Sequence, residues 1–221
     1  MSAREEILDR IRAALRDRPH VPDIPRAYRQ VSGLGEDELI ELLADRLLDY
    51  KAEVTVVTPA EAPNTIARLL AGAASYVVPH GLDSRWLPEA DGASPATADG
   101  NTGGPGRRLV DGPDHRLSVA ELDTVDAVVT ASAVAVAETG TIILDGSPDQ
   151  GRRVITLVPD RHICLLRSSD ITGILPEAMR RLDGTRPLTW ISGPSATSDI
   201  ELERVEGVHG PRHLEVVIVR S

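Results

Sequence analysis

The sequence predicts an α/β domain with a mixed, largely parallel sheet and flanking helices, preceded by an N-terminal helical arm. Three observations carry that expectation. From Glu53 onward, strand-like and helix-like segments alternate. The second half holds short runs so uniformly apolar that both faces of each strand must be covered. The implied core is aliphatic, because 41% of the 221 residues are hydrophobic while the chain has three Tyr, two Trp and no Phe. At roughly 100–200 residues per domain, this length suits one domain with an appendage. The expected division is an arm with a Pro-spaced linker at 1–30 and an α/β domain at 31–221, in which 91–106 is a flexible loop.

The arm opens on Ser2-Ala3-Arg4-Glu5, the spacing of a capping box, and Ile7, Leu8, Ile11 and Leu15 then fall on one helical face. Pro19, Pro22 and Pro25 end that helix and impose an extended linker. The first thirty residues carry seven Arg against five acids. A second amphipathic helix follows, with Leu39, Ile40, Leu43, Leu47 and Leu48 inside and Glu36, Asp37, Glu38, Glu41, Asp45 and Asp49 on a solvated face. The arm stripe is too short to persist alone in water, so it is expected to pack on that helix or on a partner subunit.

Glu53–Thr58 is β-rich, and Thr58-Pro59-Ala60-Glu61 starts a helix that runs through Leu70 to a stop at Gly72. Ser75–Val78 reads as a buried strand, and strand–helix–strand order implies parallel strands with a right-handed crossover. The stretch 91–106 is almost all Gly, Ala, Ser, Thr, Pro, Asp and Asn without periodicity, which makes it either a functional lid or a disordered insertion. Val125–Thr130, Thr141–Leu144, Val154–Val158, His162–Leu166, Leu188–Ser192 and Leu214–Arg220 read as strands, with a helix near Ile174–Leu182. The pair flanking Asp160-Arg161 is close enough for a hairpin-like arrangement.

Composition narrows the function. A net charge of −10 argues against a phosphate-backbone binder, and the scarcity of aromatics argues against a base-stacking platform, so no nucleic-acid partner is expected. The longest uncharged apolar run, Ala127 to Ala137, is far short of the roughly 20 residues that cross a bilayer. The Arg- and Glu-rich start lacks the apolar segment of a signal peptide, so a cytoplasmic protein is expected. The single cysteine, Cys164, excludes an internal disulfide and any Cys-ligated zinc or iron–sulfur site within one chain. No metal site and no cofactor is implied, since the chain has neither a Gly-x-Gly-x-x-Gly fingerprint nor a P-loop.

Three stretches interrupt the strands where open sheets place ligands. Glu138-Thr139-Gly140-Thr141 sets a carboxylate beside two hydroxyls, suited to holding a ligand or to acid/base or nucleophilic work, or else it is an ordinary turn. Ser192-Gly193-Pro194-Ser195-Ala196-Thr197-Ser198-Asp199-Ile200-Glu201 crowds hydroxyls ahead of an expected helix start, which makes an anion cradle or a plain helix cap. In Gly207-Val208-His209-Gly210-Pro211 the glycines can turn the imidazole into a cleft, or His209 is an idle turn residue. Glu138 and His209 are the candidate catalytic residues. Thr139, Gly140, Thr141, Gly193, Ser195, Thr197, Asp199 and Gly210 are the candidate ligand contacts. Because like ends of parallel strands gather on one edge, these motifs are expected to line one cleft. His162 and Cys164 share one strand face, a poor metal site, and Gly151-Arg152-Arg153 offers cations to an anionic ligand tail.

Ala137-Glu138-Thr139-Gly140-Thr141, Leu157-Val158-Pro159-Asp160-Arg161-His162, the Ser192–Glu201 stretch and Gly207–Pro211, in that order, resemble the lactate-utilisation protein C family, whose shared module is the LUD domain. The resemblance covers about Val125 to Ser221. It implies a fold similar to the phosphosugar isomerase and coenzyme A transferase superfamily. It also implies a place in L-lactate oxidation to pyruvate, beside iron–sulfur and oxidoreductase subunits. With one cysteine, this chain is expected to be the accessory, non-redox component, holding a small anionic ligand. Ala196 stands where the resemblance leads one to expect a basic residue, which leaves backbone amides, hydroxyls and Arg152 or Arg153 for the anion. The alternatives are a self-sufficient enzyme acting on a phosphosugar or coenzyme A thioester and a ligand-sensing regulatory domain.

Overall fold

The computed structural model describes residues 2–16, 23–89, 106–198, 204–206 and 209–220. In chain order the helices and strands are α1 (Ala3–Ala14), α2 (Glu36–Asp49), β1 (Glu53–Val57), α3 (Ala62–Leu69), β2 (Ser75–Pro79), β3 (Arg107–Asp111), α4 (Val119–Leu122), β4 (Ala127–Thr130) and β5 (Val134–Val136). There follow β6 (Thr141–Leu144), β7 (Arg161–Arg167), β8 (Ile171–Thr172), α5 (Leu175–Met179), β9 (Thr189–Ile191), β10 (Ala196–Ser198), β11 (Arg204–Glu206) and β12 (His213–Val219). Among the described residues no helix is long and apolar enough to cross a membrane.

Six strands form a sheet in the order β1-β12-β7-β4-β2-β3, every neighbouring pair parallel. A second sheet, β8-β5-β6-β9, contains the antiparallel pairs, and β10 and β11 form a separate antiparallel hairpin. The expected mixture of directions is thus divided between sheets. β1 and β2 are parallel as expected, but β12, β7 and β4 lie between them.

Register sorts the parallel sheet's side chains into two faces. Val77, Val128, His162 and Leu214 lie side by side on adjacent strands. On that face Leu214, Cys164, Val216 and Ile218 are covered by α2, through Leu43 and Leu47, and by Ala135 and Ile142 of the second sheet, while Val77 and Val128 pack on Leu117, Leu122 and Ile155. The opposite face, with Tyr76, Val129, Ile163 and Val217, packs on Ile66 of α3 and the following Leu70. Leu43 and Leu47 have no accessible surface, and burying each contributes about 1.5–3 kcal/mol.

Local chemistry sets the ends. Glu5 N–H donates to Ser2 Oγ at 3.3 Å, and Ser2 N–H donates to Glu5 Oε2 at 2.7 Å, so the capping box forms. Thr58 N–H and Oγ1 both donate to Glu61 Oε2 at 2.8 Å, but α3 begins only at Ala62.

Three expectations are corrected. Val154–Val158 is not a strand: Arg153–Thr156 is a 3-10 turn whose Ile155 packs on Val77 and Val128, so no hairpin forms around Asp160-Arg161. An apolar β-branched run suits either state until its packing partner decides. Among the described residues no helix begins after Ser195: β10 is there instead, paired with β11, and residues 199–201 lie outside the described residues. Helix α1 does not pack on α2: it has no buried residue, and Ile7, Ile11 and Leu15 are about half exposed. The stretch 91–105 lies outside the described residues.

Candidate functional site

The sequence-selected loops meet at the amino ends of β7 and β12, beneath β9. Past β9 the chain turns at Gly193, whose φ of +95° only glycine adopts readily and whose added Cβ would sit 2.6 Å from Tyr50 Cβ. Ser195 N–H donates to Pro211 O at 2.8 Å, and His209 N–H donates to Ser195 Oγ at 3.0 Å. These two bonds stitch the Ser192–Ser195 loop to the segment entering β12. They enclose a cleft of about 260 Å³. Gly193, Ser195, His209 and Gly210 line it, as do Arg153 and Thr189.

Its inner wall is His162, fully buried, with Nε2 2.8 Å from Thr130 Oγ1. Burial away from water pushes the imidazole down to about 4, so it is neutral at physiological pH. Cys164, two residues on, is pushed up to about 12 by burial, which makes it a packing thiol.

The Glu138 motif is not in this cleft. Glu138 pairs with Arg29 from the segment before α2, and its N–H donates to Gly173 O at 3.0 Å. Thr139 and Thr141 reach the cleft's outer wall through hydroxyls, Thr139 Oγ1 to Thr141 Oγ1 at 2.8 Å and Thr141 Oγ1 to Ser192 Oγ at 2.9 Å. Gly140, at φ +61°, lets this turn lie against Arg46 of α2, where a Cβ would meet Arg46 Cβ at 2.7 Å. Glu138 and His209 therefore do not converge, because the first belongs to the second sheet's β5–β6 turn and the second to the approach to β12. Thr197 lies on β10, and Asp199 is outside the described residues.

A second cavity of about 390 Å³ adjoins the cleft and shares Arg153, Thr156 and Thr189 with it. It opens at the carboxyl ends of β2 and β3. There Arg152 Nε donates to Asp111 Oδ2 at 2.8 Å, and Leu117 N–H donates to Asp111 Oδ1 at 2.9 Å. Burial would raise the Asp111 carboxyl, but these bonds outweigh it and hold the group below the usual carboxylate range. Of this cavity's chemistry the sequence points to Gly151-Arg152-Arg153 alone. The available signal was turn punctuation at strand ends, Asp111-Gly112-Pro113 and Gly146-Ser147-Pro148. Among the described residues no three His, Cys, Asp or Glu side chains gather as metal ligands.

Comparison with known proteins identifies the family of the chain. The chain is 44% identical over 202 residues to lactate utilization protein C of Deinococcus radiodurans, covering 90% of this chain and 87% of that protein. It is 26% identical to lactate utilization protein C 1 of Bacillus mycoides, over 98% of this chain and 96% of that one. The crystal structure of a DUF162 family protein from Deinococcus radiodurans superposes with a TM-score of 0.65 at 39% identity, over 84% of this chain and 99% of that one. The LUD domain profile matches residues 40–219, and the chain belongs to the LUD domain family.

Proposed function

We propose that the chain is an accessory, non-redox component of an L-lactate oxidation system and holds a small organic anion in the cleft at the amino ends of β7 and β12. The relatives' printed name supports the pathway. The observation that carries the anion is Arg153. It is exposed and lines the cleft together with Ser195, and its guanidinium makes no hydrogen bond or ion pair among the described residues. An unpaired guanidinium facing hydroxyls and turn amides suits a carboxylate. The volume favours a three-carbon acid, since pockets for drug-sized ligands begin near roughly 300 Å³.

On this reading Gly193, Ser195, His209 and Gly210 contact the ligand, with Thr141 steadying Ser192 from behind. The lone buried cysteine cannot furnish a cluster's thiolate set, so iron–sulfur and oxidoreductase partner subunits carry the electrons. The proposal includes a cytoplasmic location, an arm at 1–30 with the domain at 31–221, and a fold similar to the phosphosugar isomerase and coenzyme A transferase superfamily. Enzymatic use of Glu138 with His209 loses its geometric support, because Glu138 is tied to Arg29 outside the cleft.

The test is growth on L-lactate of a strain lacking this gene. Wild type and Glu138→Gln should restore growth, and a combined Arg153→Gln, Ser195→Ala chain should not. Rescue by the double variant, or failure of wild type to rescue, would overturn the proposal.

A further inference from the structure

We infer that the 390 Å³ cavity at the carboxyl ends of β2 and β3 is a second binding site, for an organic anion with an apolar, ring-sized body. The inference goes beyond the small-anion cleft, with which this cavity shares Arg153, and rests on Arg116 and an apolar wall that the cleft does not share.

Topology points to the place. In the order β1-β12-β7-β4-β2-β3, the chain leaving β2 goes to β3 on one side, while the chain leaving β4 comes back to the sheet at β7 on the other. Neighbouring strands whose connections diverge leave a crevice outside their carboxyl ends, where open parallel sheets take ligands. The loop that follows β6 is pinned over both ends: Ala131 N–H, just past β4, donates to Asp149 O at 3.0 Å, and Gly81 N–H, just past β2, donates to Pro148 O at 3.0 Å.

Glycines keep these walls at backbone contact. A Cβ on Gly81 would sit 2.4 Å from Pro148 Cβ. Gly151, at φ +72°, would bring one within 2.9 Å of Pro79 Cβ. Loops locked this closely leave a preformed space.

Charge and surface then specify the occupant. The carboxylate that lines the cavity, Asp111, is already engaged by Arg152 at 2.8 Å, and the adjacent Asp145 by Arg186 at 2.8 Å. Arg116 and Arg153 line the cavity, and neither guanidinium makes a hydrogen bond or ion pair among the described residues. A chain of net charge −10 thus places here two guanidiniums that have no hydrogen-bonded partner among the described residues. The walls between them are Leu144, Pro148, Pro187 and Leu188, which offer a charged group nothing and suit an apolar body. A three-carbon acid would leave most of this volume empty, and the size falls within the roughly 300–1,000 Å³ of small-molecule sites. Guanidinium accepts carboxylate and phosphate alike in bidentate geometry, so the shared chemistry is an aryl-type organic anion.

The experiment is isothermal titration calorimetry on the full chain with phenyl phosphate, phenylacetate, inorganic phosphate, acetate and benzyl alcohol, and with L-lactate for the neighbouring cleft. At least one aryl anion should bind about tenfold more tightly than its bare anion and than benzyl alcohol. Binding of phenyl phosphate alone identifies a phosphate ligand, and binding of phenylacetate alone a carboxylate. Arg116→Gln, at an exposed position, should keep the wild-type melting temperature and L-lactate binding while weakening the aryl anion about tenfold. Ser195→Ala should do the reverse, which separates failure here from failure of the small-anion cleft. The inference is overturned if neither aryl anion binds the wild-type chain, or if Arg116→Gln binds it as wild type does.

Discussion

Arg152 and Asp111, 41 residues apart, are joined by a side-chain pair in which Arg152 Nε lies 2.8 Å from Asp111 Oδ2. The Asp111 side chain is 1% accessible and that of Arg152 36%, so the carboxylate is the committed partner. Breaking a fully buried pair costs about 3–5 kcal/mol, and the part-exposed guanidinium brings the expected cost of Asp111→Ala to about 2–3 kcal/mol. Urea denaturation measures it. The double variant with Arg152→Ala should cost less than the two single changes together. Because the folded-state pKa of Asp111 is depressed, its contribution is present above the ordinary carboxylate value and is lost as pH falls through the folded one.

His162 sets a second pH dependence of the same sign by another cause. Burial lowers its pKa from 6.5 to about 4. Between those values the unfolded chain binds a proton that the folded chain refuses. Stability is therefore full above pH 6.5 and falls as pH drops toward 4. Calorimetric melting from pH 7.5 to 4.5 should show this slope, and His162→Gln should flatten it. An unchanged slope in the variant would assign the acid sensitivity to the carboxylates.

Cys164 is fully buried with its pKa pushed up to about 12, so it should be inert to a thiol reagent in the native chain. One thiol should appear on adding denaturant, as the single cysteine requires. Rapid native labelling would contradict the packing around β7.

The arm divides into a loose helix and a fastened strap. Helix α1 buries nothing, so removing residues 2–16 should leave the melting temperature of the isolated chain within about 1 °C. Residues 29–32 are bound to the domain. Arg180 donates to Gln30 O at 2.7 Å, and Ser32 N–H donates to Glu177 Oε1 at 2.8 Å. Truncation through residue 32 should therefore lower the melting temperature. A comparable loss of melting temperature on removing residues 2–16 alone would show that α1 docks.

Sequence pattern revealed those elements whose own chemistry fixes them. Ser2 and Glu5 announce α1, and Thr141–Leu144 is a strand with the expected bounds. The face of α2 is readable because Leu43 and Leu47 recur at helical spacing. Val154–Val158 was not readable, because its state is decided by the Val77 and Val128 surface that receives Ile155. For the site, the stitching of Ser195 to His209 follows motifs that stand out as turns. The exclusion of Glu138 did not show, since its partner Arg29 lies 109 residues away in a segment without periodicity. Nor did strand-end reasoning tell amino from carboxyl ends: His209–Pro211 precedes β12, while the larger cavity lies past β2 and β3.

A crystal structure of the full chain soaked in L-lactate tests the proposed function most directly. The expected result is lactate between β9 and β12, its carboxylate within hydrogen-bond distance of the Arg153 guanidinium and its hydroxyl facing Ser195. Lactate found beside Glu138 and Arg29, or an empty cleft at saturating lactate, would contradict it.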